Sequence, residues 1–354
     1  WSDLGCYGGE ARTPRIDGMA AQGLRFRNFH NTARCSTTRA ALLTGAYTHQ
    51  VAQVPGASLP DLRTDNNITI PELLVNRGYR TYMDIYAEGW NVVRQKRYDR
   101  MLANGVITPA YLSSPFGDSP YNSNPDIQAV PEWSTLGADR KADLIRRMAL
   151  YTAMIEKVDD NVGRVLDRLS QSGQLDNTIV MLMSDNGGNA EGGMFGRSFD
   201  QNNHAPLTGA QLTNMGQAGA GDKLWLGGGW ANVNTVPFRY YKRYSHEGGI
   251  RTPLVVHWPA GIQNPGRWTE QNGHLIDVMK TVSDVTGIPV PASHAGHTVV
   301  QPEGMSLTAA FRDEPDTPRQ LGYEHESTRA WVDGDWKLVT KTFSSTNGTS
   351  PANT

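Results

Sequence analysis

The stretch Arg34-Cys35-Ser36-Thr37-Thr38-Arg39 places a thiol and a guanidinium just ahead of the apolar run Ala40-Ala41-Leu42-Leu43. Ser and Thr are good N-cap types and Ala and Leu favour helix, so the spacing predicts a helix start beside Cys35. Free N–H groups and the positive end of the helix dipole would welcome an anion there. Arg39, one turn on, can bind two of its oxygens as a fork. The layout offers a nucleophile next to an anion site, although a buried structural cysteine with a surface arginine fits the spacing equally well. A second constellation is Ser184-Asp185-Asn186-Gly187, which follows the apolar run Thr178–Met183. Asp185 and Asn186 supply a carboxylate and an amide oxygen, suited to a hard cation, but Asp-Asn-Gly is also an ordinary turn. The third is Lys242 with His246, two cationic candidates in one segment; taken alone, Lys242 beside Arg243 reads as a solvated surface cation.

Positioning these groups requires an α/β framework. Thr13-Pro14 reads as the cap and first turn of a short helix leading to the strand-like Leu24–Phe29, and Ile70–Gly78 as a helix with a glycine end. Tyr79–Met83 then reads as the start of a strand, and Trp90–Leu102 as helical. Lys141–Ser170 is the longest helix expected, with Leu144, Met148, Tyr151, Ile155, Val158, Val162 and Leu166 spaced by three and four. Thr178–Met183 is a continuous apolar run of the kind found in buried parallel strands, and its C-terminal end is where open α/β sheets collect ligands. Residues 187–236, rich in Gly, Asn and Gln, read as a long loop. Leu254–Trp258 reads as a further buried strand and Gly273–Met279 as a helix, with His274 and Asp277 structural. Residues 289–320 read as a linker, and short strands with a tight turn near Asp333-Gly334 close the pattern. His204 reads as an exposed loop residue, and His325 could reach the pocket or be structural.

Cys35-x-x-x-Arg39 followed by Ala-Ala-Leu-Leu-Thr-Gly resembles the signature of the type I sulfatases. So do Asp3-Leu-Gly-Cys-Tyr-Gly-Gly, Thr13-Pro with Ile16-Asp17, Gly78-Tyr-Arg-Thr-Tyr, Ser184-Asp-Asn-Gly, His246-Glu-Gly-Gly-Ile-Arg-Thr-Pro and Gly334-Asp-Trp-Lys-Leu, in this order over nearly the whole chain. The resemblance implies the alkaline-phosphatase-like α/β fold: a large mixed, mostly parallel sheet covered by helices on both faces, with a small C-terminal antiparallel sheet. It implies a catalytic domain over residues 1–316 and the start of a small subdomain over 317–354.

It further implies hydrolysis of a sulfate monoester, with Cys35 oxidised to formylglycine by a formylglycine-generating enzyme, Arg39 on the sulfate, Lys242 assisting the leaving oxygen, and His246 either contacting the substrate or ordering the turn. Asp185 and Asn186 would bind one Ca²⁺, in preference to Mg²⁺. The substrate would be a sulfated small molecule or saccharide, and the compartment secreted, periplasmic or lysosomal in type. Three departures stand out. Thr37 occupies a position where the family has Pro or Ala. The strand and Asp pair that precede the Asp3 loop in the family are not in this sequence. After Met83 the family continues into a Gly-Lys-Trp-His loop, whereas this chain passes to Asp84-Ile85-Tyr86, so a gap or deletion is expected at 83/84.

Alternatives on the same scaffold are phosphomonoester or phosphonate hydrolysis, and a non-catalytic binding protein. The chain of 354 residues has a formal charge of −2, which argues against a nucleic-acid partner. No apolar run is long enough to span a bilayer. Two cysteines make no disulfide framework. Asn67-Ile-Thr and Asn347-Gly-Thr match glycosylation sequons, a pattern frequent by chance. Oligomeric state leaves no trace in the sequence.

Overall fold

The architecture is taken from a computed structural model, in which residues 1–31, 80–116, 130–198, 204–216, 224–294, 296–325 and 328–340 are described. Cys35, Arg39, Thr37, both sequons and the Ile70–Gly78 helix lie outside them.

Pro14–Ala21 forms α1, opening on proline as its fixed φ allows. Thr13 occupies the cap position but makes no capping bond. Its hydroxyl donates instead to Asp17 Oδ1 at 2.9 Å. The free N–H groups of Arg15 and Ile16 go to Asp159, at 3.1 and 2.7 Å, so the cap comes from a residue far along the chain. Two strands follow, β1 (Leu24–Phe26) and β2 (Phe29–His30).

Arg80–Ala87 is a helix, α2, and not the start of a strand. Tyr82 and Tyr86, four residues apart, are both buried: Tyr82 OH donates to Glu156, and Tyr86 OH lies 2.6 Å from Thr152 Oγ1. A one-turn spacing of aromatics against a neighbouring helix outweighs the β preference of Tyr and Thr. This helix runs across residues 83 and 84. α3 (Trp90–Ala103) follows as expected.

The long helix α4 covers Ala138–Gln171. Its first half buries Leu144 and Met148 in a core with Tyr82, Tyr86, Trp90 and Trp230. Its second half lies over α1, where Val162 and Leu166 pack in a core with Ile16 and Met19.

The main sheet comprises β1, β3 (Val180–Met183), β4 (Leu254–His257) and β5 (Arg267–Thr269), in the order β3-β4-β1-β5. It is mixed: β3 and β1 both run antiparallel to β4, and β1 and β5 run parallel. Among the described strands the expected parallel majority is therefore not met. A continuous apolar run reports shielding of both faces, which an antiparallel neighbour permits as readily as a parallel one. β3 is moreover half-buried throughout, at the end of the described strand order.

The 187–236 segment is not all loop. It holds a helix at Gly209–Thr213 and a fully buried one, α5 (Gly228–Asn234), whose Gly229 lets Trp90 lie against the backbone: a Cβ there would stand 2.3 Å from the indole. α6 (Glu247–Ile250) precedes β4. β6 (Gly273–His274) pairs parallel with β2, and the helix expected from Gly273 starts later, as α7 (Asp277–Thr286). The 289–320 region holds a short helix, Thr308–Phe311. β7 (Gln320–His325), β8 (Thr328–Asp333) and β9 (Trp336–Val339) form the expected C-terminal antiparallel sheet, in the order β9-β8-β7. Asp333 pairs with Trp336, leaving Gly334-Asp335 as a two-residue turn with Gly334 at φ 56°. No helix among the described residues is long and apolar enough to cross a membrane.

Candidate active site

The site is assembled from loops that meet at the end of β3. Beyond Met183 the chain enters Ser184–Gly188, and Gly187 N–H donates to Gly249 O at 2.9 Å. A Cβ on Gly187 would stand 1.7 Å from the Gly248 carbonyl oxygen, so only glycine lets the two backbones touch. One residue on, Gly188 O accepts from Lys242 N–H at 2.9 Å. Asp185 and Asn186 are thus brought to the same place as Lys242 and His246.

The residue after β2 is fixed to the Asp185 loop and to the end of α6. Asn31, directly after β2, donates its N–H to Ile250 O at 2.9 Å and its Nδ2–H to Thr252 Oγ1 at 2.8 Å. The same amide nitrogen donates to Ser184 O. Asn31 therefore sits between the start of the Asp185 loop and residues 250–252 at the end of α6.

A pocket of about 340 Å³ opens between α4 and this loop, with Asp185, Asn186, Asn189, Asn234, Tyr151 and Asp3 in its lining. Asp3 has both oxygens engaged: Arg97 Nη1 donates at 2.6 Å and Tyr151 OH at 3.3 Å. Asn186 donates Nδ2–H to Gly187 O at 2.8 Å, which leaves Oδ1 as its ligand atom.

Lys242 is largely enclosed, with 12 % of its side chain exposed, and its Nζ lies 2.9 Å from Glu191 Oε2. Burial works against the Glu191 carboxylate, but the hydrogen bond and charge of Lys242 outweigh it and hold the acid below its usual range. His246 is half-buried at the N-terminal end of α6, its ring 4.4 Å from that of Tyr240 and 6.2 Å from that of Tyr244.

Behind His246 lies a charged cluster that the sequence reading did not single out. Glu247 accepts from Arg251 Nε and Lys337 Nζ, each at 2.5 Å, and lies 3.0 Å from His30 Nε2. Burial opposes its charge, yet Arg251, Lys337 and His30 together keep it ionised, well below the ordinary carboxylate value. The Glu247/Arg251 spacing of four was a visible signal. Lys337, from the last strand, and Asn31 carried none.

Of the other candidates, His204 is half-buried and its carbonyl accepts from Arg140. His325 O accepts from Thr328 Oγ1 at 2.8 Å. His274 is buried, its Nδ1 accepting from Ile276 N–H at 3.2 Å, and Asp277 accepts from Arg319 and from the His274 and Met305 backbones. Cys6 is a free thiol, which burial and the Asp17 carboxylate push well above the normal thiol range. It is the wrong protonation state for a nucleophile.

The donor set suits a hard cation in kind but not in number. Asp185 and Asn186 supply two oxygens, against about six to eight for Ca²⁺. Among the described residues no group of three or more His, Cys, Asp or Glu converges on a metal site.

Comparison with known proteins adds an independent line. The sulfatase family profile matches residues 1–128 and 110–288. An uncharacterized sulfatase of Schizosaccharomyces pombe is 26% identical over 468 residues, covering 96% of this chain and 83% of its own. An arylsulfatase of Klebsiella aerogenes is 28% identical over 63% of this chain, and the chain spans only 45% of that enzyme's length. Among solved structures, BT4656 in complex with its substrate D-glucosamine-2-N,6-O-disulfate is 17% identical. It covers 96% of this chain and 85% of its own, at a TM-score of 0.50, which speaks for the shared fold.

Proposed function

The chain belongs to the sulfatase family, whose members are sulfuric ester hydrolases, and we propose that it hydrolyses a sulfate monoester to an alcohol and inorganic sulfate. The observation that supports this reading is the junction at Gly187 and Gly188, where a hydrogen bond from Lys242 N–H and one to Gly249 O join the backbone after the acid–amide pair to the lysine segment.

In this reading Lys242 stabilises or protonates the departing alkoxide, and its partner Glu191 orients the ammonium. Arg39 binds the sulfate oxygens and His246 contacts the substrate from the start of α6. Formylglycine at position 35, when hydrated, supplies one hydroxyl to attack sulfur and a second that allows sulfate to leave. Asp185 and Asn186 would contribute two ligands to a cation, Ca²⁺ in preference to Mg²⁺, that neutralises sulfate charge; the remaining ligands are not among the described residues. The substrate class is a sulfated small molecule or saccharide. The sulfated glucosamine named for BT4656 supports a sugar. The compartment is secreted, periplasmic or lysosomal in type, and maturation involves a formylglycine-generating enzyme.

The 83/84 junction is read as the site of a gap or deletion in the catalytic domain. The alignment to the fission-yeast relative runs over 468 residues against 354 in this chain, so that relative holds residues within the aligned span that this chain lacks.

Matched assays on an aryl sulfate and the corresponding aryl phosphate test the reaction. Faster release of the alcohol from the sulfate is expected. Faster turnover of the phosphate, or turnover of neither, would overturn the reading.

A further inference from the structure

The segment that carries Lys242 and His246 is unusual in its backbone. Tyr240 and Arg243, neither of them glycine, adopt φ values of 62° and 82°. Such conformations persist only where the surroundings hold them. On one side the hold is Gly188 O, which accepts from Lys242 N–H. On the other side it comes from the C-terminal sheet, at two separate points.

The first point is Thr328, the opening residue of β8, which is wholly buried. Its Oγ1 shares its proton between His325 O at 2.8 Å and Arg243 O at 3.1 Å and lies 3.1 Å from Ser245 Oγ, and Ser245 Oγ donates to Thr328 O at 3.2 Å. The second is Lys337 in β9, whose Nζ donates to Glu247 Oε1 at 2.5 Å. That carboxylate also lies against His30, one residue before the Asn31 that ties β2 to Ser184. The two contacts bracket the site histidine and grip the chain just after the site lysine: Thr328 touches positions 243 and 245, and Lys337 holds position 247.

We propose that the C-terminal sheet is a clamp on the active site, with Thr328 and Lys337 as positioning residues that keep Lys242 and His246 in register with the Asp185 loop. The inference rests on the sulfatase reading for its kinetic consequence and on geometry alone for its structural one. A placement error of about 1 Å at a reacting group costs on the order of 100-fold in rate, so loss of either grip should be felt in kcat.

The test uses the full chain with Thr328→Val and Lys337→Met, which keep side-chain size but remove the polar side-chain contacts, leaving only the bond from Ser245 Oγ to the backbone carbonyl of residue 328. Thr328→Ser and Lys337→Arg serve as rescues. Trp331→Ala is the control, since Trp331 lies on the exposed face of the same sheet, 51 % open to solvent. Hydrogen–deuterium exchange over residues 239–251 should speed up about tenfold or more in the first pair, and kcat on an aryl sulfate should fall about tenfold with a smaller change in KM. The rescues should restore both readouts, and Trp331→Ala should move neither. Unchanged exchange would overturn the clamp whether or not the protein turns over sulfate esters. Faster exchange with wild-type kcat would overturn the positioning role, as would equal losses in Trp331→Ala. A wild-type protein without turnover would remove the proposed reaction, and the exchange data would still decide on the clamp.

Discussion

Lys242 Nζ sits 2.9 Å from Glu191 Oε2, in a pair where the lysine is the more enclosed partner. If this ammonium assists the leaving oxygen, its removal should matter most when the alcohol is a poor leaving group. Lys242→Ala is expected to lower kcat by about 100-fold for an alkyl or sugar sulfate, and by much less for a nitrophenyl sulfate. A plot of log kcat against leaving-group pKa should therefore steepen in the variant. Equal losses across the series would assign Lys242 to binding alone.

Gly187 permits the contact between the Asp185 loop and α6. Gly187→Ala would press a methyl against the Gly248 carbonyl, 1.7 Å from where the Cβ must go. One loop has to move, and turnover should drop by about 100-fold or more. Steady-state kinetics beside far-UV circular dichroism will separate this local effect from unfolding.

The buried histidines make stability depend on pH in a defined direction. Burial holds His30 below the usual imidazole value, against the pull of Glu247, and holds His274 well below it, aided by Arg319. In the unfolded chain both would take up protons near about pH 6.5. The unfolded state then binds more protons than the folded one, so their contribution to stability is complete above that pH and is lost as pH falls through and below it. Melting temperatures recorded from pH 7.5 to 5.5 should decline, and His274→Asn should flatten the decline. A profile that rises on acidification would contradict the assignment.

Arg97 is buried between two carboxylates, donating to Asp3 Oδ1 at 2.6 Å and to Glu10. Burial disfavours the Glu10 charge, and Arg97 with Arg100 more than compensates, keeping it ionised. Arg97→Met would leave Glu10 with Arg100 alone and Asp3 with only the Tyr151 hydroxyl, at a cost of about 3 kcal/mol. Urea denaturation should register that loss as a lower midpoint.

Much of this organisation was legible in the sequence, and the parts that were not share a cause. The stripe from Leu144 to Leu166 located α4, because a long amphipathic period is a local signal. The apolar run before Ser184 located β3 and put Asp185 and Asn186 at its end. What failed depended on partners distant in the chain. Asp159 caps α1 in place of Thr13, Tyr82 and Tyr86 become helical against α4, and β3 pairs antiparallel with a strand some seventy residues away. The hold of Thr328 and Lys337 on the lysine segment is likewise a contact between remote residues, carried by no local pattern.

The account turns on position 35, and the most direct measurement is the mass of the peptide that contains it, taken from a preparation that releases sulfate. Conversion of the Cys35 thiol to an aldehyde, with Cys6 unmodified, is the predicted result. An intact thiol at Cys35 in a preparation that turns over aryl sulfate would contradict it.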